Sequence, residues 1–148
     1  MKHAIDRFLQ CKNIAIVGMS TKNAKFGNLA YKELSQKSFN LFPIHPKGKK
    51  IDGAQCFANF KDIESQIDGV LISVKPSEAE KVVRSANEAG IKNVWLQQGA
   101  QSDSAIQYCK DNGINVVHNH CILMFAKPVG TFHKFHRWVW KMLGKLPK

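Results

Sequence analysis

At 148 residues with 44% hydrophobic content, the chain has the length and apolar mass of one ordered domain that needs no disulfide or metal staple. No apolar run is long enough to span a bilayer, and no secretory leader pattern opens the chain, which excludes membrane-spanning classes and points to a cytoplasmic protein. The formal net charge of +11 is uneven, since no acidic residue follows Asp111 while Lys127, Lys134, Arg137, Lys141, Lys145 and Lys148 supply six of the eleven charges; such a field favours an anionic partner.

In chain order, Lys2–Gln10 reads as a short amphipathic helix with Ile5, Phe8 and Leu9 on one side. Ile14 to Gly18 is a small and apolar run suited to a strand buried on both faces. A polar loop with Ser20, Thr21, Lys22, Asn23 and Lys25 follows, and the spacing predicts a helix over Phe26–Lys37 with Leu29, Ala30 and Leu34 inward. Asn40–Ile44 is the second strand, ended by Pro43 and Pro46. Lys47–Gly53 is a basic turn, Gln55–Phe57 a short extended piece and Phe60–Ile67 a short helix.

Asp68–Val74 is the third strand, stopped at Lys75–Pro76. Ser77 with Glu80 has the spacing of a capping box for a helix that ends at Gly90. Asn93–Leu96 is the fourth strand, Gln97–Gln101 a polar loop, Ser102–Asn112 a helix closed by Gly113, and Ile114–Val117 the fifth strand. Strands alternating with helices at this spacing predict an α/β fold. It is a doubly wound, Rossmann-like parallel sheet of about five strands with helices on both faces, over residues 1–125. Residues 126–148 read as a basic amphipathic helical extension. Ligands of such sheets sit at the C-terminal ends of the strands.

The first strand end is a phosphate cradle in outline. Strand, polar turn and helix start bring backbone N–H groups and a positive dipole end together, beside the hydroxyls of Ser20 and Thr21 and the ammonium of Lys22. The dinucleotide fingerprint, however, wants glycines where Ser20 and Asn23 stand, and an acid at the tip of strand two to hold a ribose diol. That tip reads His45, Pro46, Lys47, Gly48, Lys49, Lys50. Lysines there attract a phosphorylated ribose, so NADP or a 3′-phosphorylated adenosine fits the charge better than NAD.

IAIVGMS with Lys22, then FPIHP, DGVLISVKP, VWLQQGA and Cys121, resembles the stand-alone CoA-binding domain proteins, which are similar to the N-terminal domain of the succinyl-CoA ligase alpha subunit. The resemblance covers about residues 10–125, with Val94–Gly99 its most specific block; His45 departs from it, since the family often has Asn before the proline. It implies coenzyme A in the crevice. Gly18, Met19, Ser20 and Lys22 would then run along the pyrophosphate and 3′-phosphate, and His45, Pro46 and Lys47 would border the adenosine. Val74, Lys75 and Pro76 would line the adenine or pantetheine, and Gln98 and Gly99 would meet the pantetheine arm. The ligase's phosphohistidine domain has no counterpart of comparable length here, so binding of CoA or acyl-CoA without acyl-CoA synthesis is the expectation.

Three other features compete for a role. Cys11, Cys56, Cys109 and Cys121 lie far apart with no C-x-x-C pair and read as reduced thiols. Cys121 is in reach of a mixed disulfide with a bound CoA thiol only if it faces the crevice. His118 and His120 in H-x-H spacing, with Cys121, have zinc-ligand chemistry, but no second compact pair completes a set, and a plain strand end is favoured. Phe132, Phe135, Trp138, Val139, Met142 and Leu143 recur at helical steps among lysines and an arginine. Packing on the domain or on a second subunit is favoured over contact with anionic lipid or RNA. The runner-up functions are an NADP-linked reductase, for which only His118, His120 and Tyr108 offer acid–base chemistry, a CoA-thiol redox protein using Cys121, and a scaffold acting through the tail.

Overall fold

The computed structural model describes residues 1–22 and 25–127. The extension assigned to residues 126–148 therefore lies outside the described residues beyond Lys127. The elements are α1 (Lys2–Leu9), β1 (Asn13–Val17), α2 (Phe26–Ser35), β2 (Asn40–Ile44), β3 (Lys50–Ile51), β4 (Ala54–Gln55), β5 (Gly69–Ile72), α3 (Pro76–Glu88), β6 (Asn93–Gln97), α4 (Asp103–Asp111) and β7 (Asn115–His120). Five strands form one sheet in the order β2-β1-β5-β6-β7, every pairing parallel. The α/β Rossmann-like fold is the one the sequence predicts, and the order reverses beside β1, between β2 and β5.

Alternation along the strands divides the core. Ile14, Ile16, Leu71 and Trp95 face α1 and α2, together with the 3-10 turn Ile122–Met124. Ala15, Val70, Ile72, Val94 and Leu96 face Val83 and Ala86 of α3 and Ala105 and Cys109 of α4. Both faces of each central strand are covered, which is why these segments read as unbroken apolar runs. Trp95 is fully buried, stacked edge-on to Phe8 at 5.4 Å and against Phe125 at 6.0 Å, and its indole N–H donates to the His120 carbonyl at 3.0 Å. Its aromatic area and its one polar atom are thus both satisfied.

The helix ends follow local chemistry. Both α3 and α4 close in Schellman motifs: Ile91 N–H donates to the Ala86 carbonyl, and Ile114 N–H to that of Cys109, around Gly90 (φ 82°) and Gly113 (φ 63°). Ser102 caps α4 by accepting from Ala105 N–H at 3.2 Å. The predicted capping box at Ser77 is not formed. Proline at the first helical position already starts α3 two residues earlier with Lys75 as the cap, and Glu80 turns to Arg84 at 2.6 Å. Leu29, expected inward, is 44% exposed because Gly27, Ala30 and Leu34 set the buried stripe of α2 and leave it off-phase.

Two other expectations shift. The helix predicted over Phe60–Ile67 is a single 3-10 turn, Phe60–Asp62, capped by Asn59. The basic turn and the extended piece after it contain a hairpin, β3 paired antiparallel with β4 around Asp52 and Gly53. Pro43 is tolerated because β2 is an edge strand. Phe57 runs parallel beside Ile44, donating to the Pro43 carbonyl while its own carbonyl accepts from His45 N–H, each at 2.9 Å.

Two glycines decide how closely the strand ends converge. Gly18 leaves β1 with φ 121°, and a Cβ there would stand 2.1 Å from the Ser73 carbonyl oxygen at the end of β5. Gly27 opens α2 so near that its Cβ would meet the Gly18 carbonyl oxygen at 2.5 Å. Neither obstacle is a side chain that can swing away. Gly18→Ala is therefore expected to cost at least about 3 kcal/mol in urea unfolding, against about 1 kcal/mol for Gly113→Ala, whose site is left-handed but open.

Candidate functional site

A cavity of about 940 Å³ opens at the point where the strand order reverses, large for a cofactor site on the usual scale of roughly 300–1,000 Å³. The end of β1 contributes Val17, Gly18 and Met19, the end of β2 Ile44, His45 and Pro46, the end of β5 Ser73, Val74, Lys75 and Pro76, and the end of β6 Gly99. The strand-end residues are drawn together by the parallel register, which aligns Val17 with both Ile44 and Ile72.

The other walls are ones the sequence reading did not single out. Lys25 and Phe26 enter from the start of α2, and Ala58, Asn59 and Phe60 come in because the Phe57 bridge carries that segment alongside β2. Glu78, Lys81, Val82 and Ser85 form one face of α3. Their spacing of three, four and seven residues was visible in the sequence; what hid it was the absence of any sign that this face turns toward the strand ends rather than to water. The lining carries Lys25, Lys75 and Lys81 against a single carboxylate, Glu78, so the field inside favours an anion.

Five of the expected residues stand off the cavity wall. Ser20 and Lys22 lie in the β1 loop, where the Ser20 hydroxyl accepts from Lys22 N–H at 3.3 Å and the Ser20 N–H is engaged by the Asn28 side chain at 2.9 Å. Lys47, its N–H bonded to His45 Nδ1 at 3.2 Å, is in the turn after β2. Gln98 is exposed and its N–H donates to the His120 carbonyl at 3.2 Å. Cys121 is buried in the α1–α2 core at the start of the Ile122–Met124 turn.

The VWLQQG block has a structural logic of its own. Gln97 is buried, and its side-chain oxygen accepts from Ile122 N–H at 3.2 Å across the gap between the ends of β6 and β7. Gly99, with φ 93°, turns the chain toward the cavity, and its N–H is held by Gln101 at 2.9 Å.

The histidine pair is not equivalent. Asn119 has φ 61°, which breaks the extended alternation expected of H-x-H, so His118 is half-exposed beside the Asn119 amide while His120 is buried edge-on to Phe125 at 5.6 Å. Among the described residues no group of three or more His, Cys, Asp or Glu is placed to hold a metal ion. All four cysteines are buried and free. Burial pushes the Cys109 thiol up to about 12; burial, aided by the Asp68 charge, pushes that of Cys11 to about 11. Both stay protonated and inert.

Residues 12–127 match the family described as CoA binding domain, and the chain belongs to that family. Among curated proteins it is similar to an acetate–CoA ligase (ADP-forming) of Methanocaldococcus jannaschii, 32% identical over 85 residues, which are 57% of this chain and 12% of the ligase. The chain thus spans about an eighth of that ligase's length. Among solved structures it resembles a conserved hypothetical protein of Pyrococcus furiosus, at 32% identity and TM-score 0.69, covering 75% of this chain and 96% of that one. A hypothetical protein of Pyrococcus horikoshii matches at 28% identity and TM-score 0.74, covering 82% and 85%. No helix among the described residues is long and apolar enough to cross a membrane.

Burial, and then the charge of His118, lowers the His120 pKa below its ordinary 6.5. The unfolded chain therefore binds a proton that the folded one refuses, so this stability is complete above pH 6.5 and is lost as pH falls through that value toward the folded pKa. Urea unfolding of the wild type is expected to weaken from pH 7.5 to 5.5 with a slope of at most about 1.4 kcal/mol per pH unit for this imidazole, and His120→Gln should flatten the slope.

Proposed function

We propose that the protein binds coenzyme A or an acyl-CoA in the cavity at the strand ends, as a binding module that does not itself make or break the thioester. The observation that carries this reading is the cavity's position and charge. It lies at the reversal of a doubly wound sheet, its lysines outnumber its carboxylates, and the tip of β2 has no acid to hold a free ribose diol. Membership of the CoA binding domain family supports the same ligand.

In this reading Gly18 and Met19 carry the pyrophosphate past the start of α2, with Ser20, Lys22 and Lys25 supplying donors and charge from the loop. His45, Pro46 and Lys47 border the phosphorylated adenosine. Val74, Lys75 and Pro76 line the adenine or the upper pantetheine, and Gln98 and Gly99 meet the pantetheine arm. Cys121, buried in the α1–α2 core and off the cavity wall, is left without a direct ligand contact in this reading. The face of α3 adds Lys81 to the cationic lining of the cavity.

Isothermal titration with CoA, dephospho-CoA, NADP and NAD checks the proposal. CoA should bind most tightly, about tenfold better than dephospho-CoA if one lysine–phosphate contact is at stake (about 1.4 kcal/mol). Lys75→Ala should weaken CoA by a similar factor, and added salt should weaken it further. NADP as the tightest ligand moves the protein to the reductase reading; no heat from any of the four removes the nucleotide altogether.

A further inference from the structure

The side chain of Asn28 uses every hydrogen-bonding position it has. Asn28 is the third residue of α2 and only 6% exposed. Its Oδ1 accepts from Ser20 N–H at 2.9 Å and Lys25 N–H at 3.3 Å. Its Nδ2 donates to the Ser20 carbonyl at 3.0 Å and to the Asp52 carboxylate at 2.7 Å. Two acceptor sites and two N–H groups are the full capacity of an amide, so its orientation is fixed and it cannot give one partner up for another.

Asp52 comes from elsewhere in the chain. It is the exposed tip of the β3–β4 hairpin, left-handed with φ 50° and followed by Gly53 at φ 79°. A hairpin with two residues per strand does not hold its place unaided. At its other side Gln55 Nε2 donates to the Gly48 carbonyl at 3.2 Å, in the turn that follows His45 and Lys47. A continuous path of hydrogen bonds therefore runs from the β1 loop through Asn28 and Asp52 to the hairpin, and through Gln55 to the turn after β2.

We propose that Asn28 and Asp52 are a positioning pair that locks the β1 loop, Met19–Lys22, to the turn after β2, His45–Lys50, before any ligand arrives. For a ligand that touches both segments, the lock lowers the ordering cost of binding. The identity of that ligand rests on the CoA reading; the lock itself does not.

The test uses the full chain. Asp52→Gly keeps the left-handed turn and removes the acceptor, whereas Asp52→Asn keeps both the turn and the acceptor without the charge. In the unliganded protein, amide hydrogen exchange at Ser20 should quicken about tenfold in Asp52→Gly and stay near wild type in Asp52→Asn, with core amides of β1 and β5 unchanged in both. CoA affinity should fall about fivefold in Asp52→Gly and recover in Asp52→Asn. Asn28→Asp, which faces the Asp52 carboxylate with another, should repeat the loss, and the double change with Asp52→Asn should relieve it in part, since a carboxylate at position 28 still has no N–H for the Ser20 carbonyl. Ser20 exchange unchanged in Asp52→Gly and in Asn28→Asp overturns the lock, whatever CoA does. Wild-type protein that ignores CoA overturns the ligand reading instead, and the exchange result then decides the lock alone.

Discussion

A carbonyl oxygen stands where the side chain of residue 18 would be. The end of β1 and the end of β5 approach so closely that the Ser73 carbonyl fills the space of a Gly18 Cβ, and α2 begins against the Gly18 carbonyl with equally little room at Gly27. The reversal of strand order forces this meeting, because β1 is flanked by β2 on one side and β5 on the other, and the connections leave in opposite directions. With both glycines in place the backbone itself forms the floor of the cavity. The walls can then be built from side chains on four strand ends, on the first turn of α2, on one face of α3 and on the Ala58–Phe60 segment. Without that approach the lysines of the rim would still exist, but there would be no crevice for them to border.

Much of this was legible in the sequence, and the reasons differ by element. The central strands could be read because both of their faces are buried, so Ile14–Val17 and Val70–Ile72 are apolar without interruption. Gly90 and Gly113 could be read because a Schellman end needs a left-handed residue, and the chain offers glycine there. The cavity's strand-end residues followed from the topology alone. The hairpin at Lys50–Gln55 was obscured because its strands are two residues long and carry no usable alternation, although Asp52–Gly53 is the dipeptide that such a turn prefers. Leu29 was misplaced because a leucine in an amphipathic pattern is assumed to face inward, whereas the phase of α2 is set by the need to bring Gly27 and Asn28 onto the β1 turn. The face of α3 was missed for the converse reason: Glu78, Lys81 and Ser85 are polar, and a polar stripe on a helix is indistinguishable in sequence from one that meets only water.

Asn28 shows the limit of residue-by-residue reading most clearly. Nothing about one asparagine near a helix start separates a cap from a hinge pin, since its partners lie eight residues back and twenty-four residues on. The fold brings them together, and the amide has the right two donors and two acceptors to satisfy all of them at once. Its position also alters what the β1 loop can offer a ligand. The Ser20 N–H, which a phosphate-cradle reading counts as a free donor, is engaged within the protein. What this end of the sheet offers an anion is therefore lysine ammonium groups and the positive end of α2 more than a nest of loop amides. Ammonium groups act as point charges on long stems and demand little of the ligand's shape. In the proposed CoA complex, discrimination between one phosphorylated nucleotide and another would then fall to the rigid parts, the proline-bounded strand ends and the distance at which the locked loop and turn are held apart.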